Sequence, residues 1–396
     1  MRRLLPCVLL AGACAAVSDR ASFEDRAARP FESAVTDLAF TRDGTAMVAG
    51  LDDGRLVVLD AHTIRVDREL RGPDTDTELV TRTWIAPRAD AAAWLVESPE
   101  TSELRVVDCG SGRSRRRTAS DANERVTAVA FDPEGLRVVV GSDVGVARAA
   151  PIAHGAWSPC RIAGSESCTG PIVAMAFDDR GMAWARGAWR ELCVEVGTFA
   201  PGALAAGSRC GTTDPGSSSL APASSAGAAS NLRVADVLAL ESTTAGLVLV
   251  ARVARDDTDL RAWRAPTDGA TIRWEGEGVI LSRSSHAVTH VRVSPDGSRV
   301  VVQGADGRCD VHELVDGRRA FGFALDEFAF DASGDYLGGI DGSGAAVVID
   351  AHDGATIERL EVPRPDAVSA VALDAGARRL AAGTEFGVVH VWALAH

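Results

Sequence analysis

The chain contains no lysine; all 41 of its basic residues are arginine. That absence removes the P-loop nucleotide site, the Schiff-base site and the Ser-x-x-Lys nucleophile, each of which needs an amine. Basic charge is also in deficit, since 55 acidic residues leave a net charge of −14. So acidic a chain repels polyphosphate, which argues against nucleic acid and against anionic membrane surfaces as partners. Aromatic residues make up only 5% of the sequence, and the eight tryptophans scatter along it. Trp184 and Trp189 accordingly read as packing residues, not as a sugar platform. No Gly-x-Ser-x-Gly elbow, His-Glu-x-x-His helix or Gly-x-Gly-x-x-Gly fingerprint occurs. No segment approaches the roughly 20 uncharged apolar residues that a membrane-spanning helix needs. What remains is 46% apolar and 24% charged, a composition that predicts a folded, globular chain.

Arg2 and Arg3 precede an apolar run from Leu4 to Ala13, and the next charge is Asp19. A basic tip, a short apolar stretch and small residues at its end predict an export signal over residues 1–20. Ala11-Gly12-Ala13-Cys14 resembles the lipobox of bacterial lipoproteins, with alanine where that pattern prefers leucine, and would make Cys14 the lipidated residue. The competing reading is a small-x-small cleavage site that releases a soluble protein. Eight cysteines occur in all. In an oxidising compartment, Cys160 with Cys168 and Cys193 with Cys210 are the candidate disulfides, while Cys109 and Cys309 read as free thiols. No Cys-x-x-Cys or paired Cys/His spacing suggests zinc.

The body of the sequence repeats. AVTDLAFTRDGT at 34, RVTAVAFDPEGL at 125, PIVAMAFDDRGM at 171, AVTHVRVSPDGS at 287 and AVSAVALDAGAR at 367 align. Each alternates apolar and polar residues and then breaks at a turn, the pattern of a half-buried strand entering a hairpin. Second and third apolar strands follow, often separated by Asp-Gly, a pair that takes up positive φ at low cost. Weaker copies begin at 79, 231 and 326. Aligned first-strand ends fall at Phe40, Ile85, Phe131, Phe177, Leu240, Val293, Phe330 and Leu373, giving intervals of 45, 46, 46, 63, 53, 37 and 43. Most lie near the roughly 40–50 residues of a four-stranded propeller blade. A Ser/Ala/Gly tract over 214–231 accounts for the longest interval and reads as a flexible surface insertion.

These copies resemble the WD-repeat β-propeller family over nearly all of residues 21–396. The likeness rests on first hairpins close to "V-T-x-V-A-F-x-P-D-G". The Trp-Asp pair is degraded: Leu59-Asp60, Val107-Asp108 and Ile349-Asp350 keep the acid, while Trp263-Arg264 and Trp392-Ala393 keep the ring. The resemblance implies an all-β fold, a single β-propeller of eight four-stranded blades. Seven blades are the alternative if the copy near 79 or 231 is an insertion. The last copy ends after its third strand, so the stretch from Ala21 to Glu32 is expected to supply the missing outer strand and close the ring.

A search for chemistry finds no catalytic, cofactor-binding or metal constellation, and no cofactor is expected. His62, His154 and His352 occupy equivalent third-to-fourth-strand turns and read as solvent-facing. His286 and His290, four apart on a strand, are about 13 Å apart, too far to share a metal. Asp74-x-Asp76-x-Glu78 lacks the glycine and distal glutamate of a calcium loop. The cluster of Arg113, Arg115, Arg116 and Arg117 falls on an expected outer strand, where charge discourages edge-to-edge pairing. Turns after the second strands carry Asp52, Asp53, Asp143, Asp256, Asp257, Asp306, Asp341 and Glu385. On a propeller they share one face, a candidate docking surface for a basic protein partner; ordinary turn chemistry is the competing explanation.

The expectation is therefore a non-enzymatic scaffold for unidentified protein partners in the bacterial cell envelope. It would be lipid-anchored, or else periplasmic or secreted, and would meet the membrane only through the anchor. One alternative is an enzyme or small-ligand binder using the central funnel, as quinoproteins and propeller lyases do. Small apolar residues at Val35, Val126, Ala174, Val288 and Val368 favour a plugged axis over that alternative. The other is a cytosolic WD-repeat scaffold.

Overall fold

Alternation with a period of two, interrupted by Gly-containing turns, yields strands and little else. A computed structural model describes residues 26–27, 31–41, 43–70, 79–86, 91–97, 102–118, 125–131, 137–145, 147–152, 171–178, 181–187, 192–198, 218–219, 233–254, 258–265, 278–282, 288–361, 367–374, 376 and 378–394. All regular structure among them is β, in eight antiparallel sheets.

After β1 (Arg26–Ala27), the first sheet holds β2 (Val35–Phe40), β3 (Ala46–Leu51), β4 (Leu56–Asp60) and β5 (Val66–Leu70). The second holds β6 (Leu79–Ile85), β7 (Ala91–Glu97), β8 (Ser102–Asp108) and β9 (Ser114–Thr118). Three described strands form the third: β10 (Val126–Phe131), β11 (Arg137–Ser142) and β12 (Ala147–Pro151). β13 (Ile172–Asp178), β14 (Gly181–Gly187), β15 (Leu192–Thr198) and β16 (Ser218–Ser219) make the fourth. The fifth contains β17 (Arg233–Thr243), β18 (Gly246–Ala254), β19 (Thr258–Ala265) and β20 (Val279–Ser282). β21 (Val288–Val293), β22 (Arg299–Gly304), β23 (Arg308–Glu313) and β24 (Arg319–Ala324) build the sixth. The seventh has β25 (Glu327–Phe330), β26 (Tyr336–Ile340), β27 (Ala346–Asp350) and β28 (Thr356–Leu360). The eighth, β29 (Val368–Leu373), β30 (Arg379–Thr384) and β31 (Val389–Ala393), takes its fourth strand from β1. Arg26 pairs with Val391 and Ala27 with His390. Ser218–Ser219 likewise pairs with β15, so part of the 214–231 tract is an edge strand and not only a surface insertion.

Among the described residues no single core serves all the sheets. Each buried apolar cluster they form lies between two sheets consecutive in the chain, and one joins the last sheet to the first. Val48, Leu56, Trp94 and Val107 unite the first and second sheets. Val301, Val311, Leu337 and Val347 unite the sixth and seventh. Val35, Met47 and Leu51 meet Ala381, Val389 and Val391 of the eighth. Both faces of a sheet are thereby covered, which explains the nearly unbroken apolar runs of the second strands (AMVAGL, RVVVQG, RLAAGT).

The first strand of each sheet is a sheet edge. β2 lies against both β29 and β6, β10 against β13, β13 against β17, β17 against β21, and β25 against β29. These edges converge, so side chains that they direct away from the inter-sheet clusters point toward the centre.

Candidate functional site

A bulge at the start of the first strands decides which side chains face where. The pairing register slips between Val35 and Asp37, Val126 and Ala128, Ile172 and Ala174, Val288 and His290, and Val368 and Ala370. An extra residue re-aims every side chain beyond it. Val35, expected at the axis, is fully buried between the first and eighth sheets. Beyond the bulge, Asp37 is half-buried, and His290 and Arg292 are exposed while Val291 and Val293 are buried. Residues two apart share one side of a strand, so His290 and Arg292 leave the cluster together. On β2 and β21 the small apolar lining expected of the axis is thus replaced by charge, while Val126, Val288 and Val368 pack against inter-sheet clusters.

Asp37 of β2, Glu241 of β17, Arg292 of β21 and Glu327 of β25 come from four sheets yet sense one another. The Arg292 guanidinium acts on all three carboxylates, His290 acts on Glu327, and Glu327 acts on Asp37. Burial raises all three carboxyl groups and outweighs that cation: Asp37 is pushed up to about 6, and Glu241 and Glu327 also rise. Backbone amides meet two of them, Leu38 N–H donating to Asp37 Oδ1 at 2.9 Å and Val293 N–H to Glu241. Each side chain is partly open, but surrounding protein displaces much of its water. No group of three His, Cys, Asp or Glu among the described residues is arranged to hold a metal ion.

The sign of the Asp37 shift gives an expected result. A carboxyl that is harder to ionise in the folded protein than in the unfolded chain costs stability as pH rises from about 4 to about 6, and the cost persists above. Asp37→Asn keeps an acceptor for Leu38 N–H and removes the charge. Denaturation in urea at pH 8 should show the variant about 1–2 kcal/mol more stable, a figure discounted for residual solvent. At pH 4 the two proteins should be equally stable.

Of the acidic turn residues, Asp52, Asp53, Asp306 and Glu385 are exposed, and Asp143 and Asp341 half-buried. They occupy the second-to-third-strand turns, while Asp256 and Asp257 lie outside the described residues. The amides of Asp52, Asp143 and Glu385 each bond to the residue just before the neighbouring first strand, Ala34, Arg125 and Ala367. Several carboxylates also serve their own turns. Asp53 accepts from Arg55 N at 3.0 Å and pairs with Arg55 Nε at 2.7 Å. Asp306 accepts from Arg308 N at 3.1 Å. Asp341 accepts from Ser343 Oγ at 2.6 Å and pairs with Arg359 at 2.9 Å. Hydrogen bonds hold Asp53 and Asp341 below the usual carboxylate range despite some burial.

Five of the described turns close on a glycine at positive φ, Gly54, Gly145, Gly307, Gly344 and Gly387. The residue before that glycine is Asp53, Val144, Asp306, Ser343 or Phe386. In two turns it is an aspartate bonded to its own turn, in one a serine, and in two it is apolar and exposed, Val144 at 55% and Phe386 at 58%.

Cys109 and Cys309 are buried, and burial pushes the Cys309 thiol up to about 12, leaving it inert near neutrality. Cys14, Cys160, Cys168 and Cys210 lie outside the described residues, and Cys193 sits in β15. Among the turn histidines, His352 is not merely solvent-facing. Arg299 of the neighbouring sheet donates to its Nδ1 at 2.8 Å, and its Nε2–H donates to Asp335 at 2.9 Å.

The residues that lock sheet to sheet were not singled out by their sequence. The bulged residue swings its hydroxyl across to the next sheet: Thr127 donates to Ile172 O at 2.6 Å and Ser369 to Val35 O at 2.5 Å. At the sixth sheet the matching carbonyl, Val288 O, takes Arg252 from the fifth at 3.0 Å. Gln303 reaches Leu325 O at 2.6 Å and Asp326 O at 3.1 Å at the entry to the seventh. The donor varies, while the acceptor stays at the start of the next first strand. Thr in the repeated V-T was the available signal.

No protein-family pattern matches the chain, and comparison with curated proteins finds no match. Solved structures do. The computationally designed Ika8 protein superposes with a TM-score of 0.60 at 19% identity, covering 92% of this chain and 98% of its own. The C-terminal WD40 domain of Sif2 superposes with a TM-score of 0.59 at 13% identity, covering 94% of this chain and 99% of its own. Identity this low carries architecture and nothing further. Together with the antiparallel sheets and their converging first strands, these likenesses make the chain a WD40-like β-propeller in fold.

Proposed function

We propose that the chain is a non-enzymatic, eight-bladed propeller whose ring is closed by its N-terminal strand and which acts as a protein-docking scaffold. It is exported to the bacterial cell envelope and anchored there by lipid on Cys14. It binds through the face bearing the second-to-third-strand turns.

The observation that carries the docking face is the exchange of turn-capping aspartate for exposed Val144 and Phe386. An apolar side chain there makes none of the turn hydrogen bonds that Asp53 and Asp306 make, and it adds exposed apolar surface. Each stands beside an acid, Asp143 or Glu385. An apolar anchor beside a carboxylate suits a partner segment that pairs aliphatic or aromatic side chains with arginine or lysine. Val315, at 79% exposure, is an isolated counterpart in a third-to-fourth-strand turn on the opposite face.

The test is a photo-crosslinking amino acid at position 386 or at 315 in the envelope-localised protein. A discrete adduct is expected from 386 and not from 315, and Glu385→Arg with Asp143→Arg should abolish it. Equal labelling from both positions, or none from 386, would overturn the docking face. Cys14→Ser should move the protein from the membrane to the soluble fraction, and unchanged fractionation would overturn the anchor.

A further inference from the structure

We propose that the joint between the sixth and seventh sheets is an acid-sensitive latch worked by His352. Neutral His352, held by Asp335 of its own sheet, accepts a hydrogen bond from Arg299 of the sixth; protonated His352 keeps Asp335 and gives up Arg299. The latch lies on the face opposite the docking surface, so either can fail without the other.

Arg299 opens β22 and is buried. Its Nε pairs with Glu313 Oε1 at 3.2 Å within the sixth sheet. Its Nη2 crosses to the seventh sheet and stands 2.8 Å from His352 Nδ1. His352 lies in the turn between β27 and β28, where its amide donates to Asp350 Oδ1 at 2.7 Å. Its Nε2 stands 2.9 Å from Asp335 Oδ1, in the turn between β25 and β26. A guanidinium has donors and no acceptor, so Nδ1 carries the lone pair and Nε2 the hydrogen. Both ring nitrogens are committed, and the neighbouring sheet fixes the tautomer.

Protonation would set an Nδ1–H against a guanidinium N–H, two donors and two positive charges face to face. That contact cannot persist. The other contact strengthens, because Asp335 stays ionised: its bonds to His352 and Ser333 hold it below the usual carboxylate range. Asp350 and Asp353 of the same turn add negative charge on that side, as does Asp296 of the sixth sheet, which acts on Asp335. Arg299, paired with Glu313, is the opposing cation. The cost falls on Arg299. Its Nη1 is already buried without a hydrogen-bond partner among the described residues, and Nη2 would join it.

Arg379 occupies the matching place at the start of β30 and crosses to Gly44 O and Ala61 O of the first sheet. Arg68, Arg252 and Arg264 likewise cross to backbone carbonyls. A carbonyl gains no proton in the range where an imidazole does. Those joints therefore keep their ties when the sixth and seventh sheets lose one.

Amide hydrogen exchange on the whole protein at pH 8 and pH 5.5, corrected for the intrinsic change in rate, follows both kinds of joint in one sample. On acidification, protection over residues 294–299 and 350–355 should fall about threefold or more relative to residues 43–46 and 60–64 at the joint of the eighth and first sheets. His352→Asn keeps an oxygen for Arg299 near the place of Nδ1 and cannot be protonated, so its relative protection should be the same at both pH values. His352→Gln keeps a donor for Asp335 but no acceptor for Arg299, and should be poorly protected at both. Asp37 titrates in the same range in parent and variants alike, so the asparagine variant separates its effect from that of His352. The two joints of the parent decide the outcome even where a variant does not fold. An equal fall at both joints, or the same relative fall in His352→Asn as in the parent, would overturn the latch.

Discussion

Gly383→Val is expected to destabilise the protein by about 3 kcal/mol or more, enough to remove a large share of an ordinary domain's stability. Gly383 lies in β30, pairs with Ala370 and Val389, and is pressed against the first strand of the first sheet. A Cβ placed there would stand 2.6 Å from Val35 Cβ and 3.2 Å from Leu38 Cδ1. Val35 is fully buried and cannot retreat. Its carbonyl is held by Ser369 Oγ at 2.5 Å, so the backbone is tied as well. Gly141 has the same duty toward Ile172, whose Cγ2 and Cβ would lie 2.5 and 2.7 Å from an added methyl. The two glycines are thus recesses that admit the first residue of the next sheet. Urea denaturation should show the loss, and Val35→Ala in the same chain should restore part of it, since the two changes share one contact. Gly342→Ala is the control: nothing lies within 4 Å of its added methyl, and a change within about 0.5 kcal/mol is expected.

The strands were legible because their signal is local. Alternation and Asp-Gly turns lie within ten residues, and even the weak copies at 79, 231 and 326 became β6, β17 and β25. The two-residue strands β1 and β16 carry no such signal. Arg26–Ala27 and Ser218–Ser219 are strands because a partner strand, β31 or β15, offers its edge.

The centre was misread for a related reason. Continued alternation from Val35 assigns that valine to the axis, and one inserted residue reverses the assignment, since a strand's side-chain period is two. V-T was visible as a repeated pair. Its meaning, a bulge with the hydroxyl aimed at a neighbouring carbonyl, depends on strands some 45 residues away, as with Thr127 and Ile172. Once the bulge is known, Asp37, His290 and Glu327 fall into register, opposite Gly50, Gln303 and Ile340 of their second strands. The turn acids were legible as turn residues, but the exchange of Asp53 for Val144 and Phe386 gains meaning only through their shared exposure.

Arg379→Ala is expected to cost about 3–5 kcal/mol, because it breaks a nearly buried ion pair and uncaps two turns at once. Arg379 Nε pairs with Asp374 Oδ2 at 3.1 Å, the two side chains being only 16% and 9% exposed. Across the boundary with the first sheet, its guanidinium donates to Gly44 O at 2.5 Å and approaches Ala61 O at 3.5 Å. It also lies 5.3 Å from the centre of the Phe40 ring. One side chain therefore joins residues more than 300 positions apart in sequence, where the last sheet meets the first. Loss of the guanidinium leaves Asp374 with the amides of Arg378 and Arg379 alone and the two carbonyls without this donor. Arg379→Lys should recover less than half of the loss, since an ammonium can serve Asp374 but cannot reach two carbonyls and stack on Phe40 from one position. The same geometry suits a chain that uses arginine to the exclusion of lysine: a planar fork with five donors spans a joint between sheets, which a point charge cannot do. Arg264 to Gly297 O and Arg68 to Gly110 O repeat the arrangement at other joints. Urea midpoints for the alanine and lysine variants, measured beside Asp374→Asn and the double variant, should reveal strong coupling between positions 379 and 374. If the lysine variant matches the parent, or the two positions act additively, the arginine contributes only as a surface charge and the account of this joint is wrong.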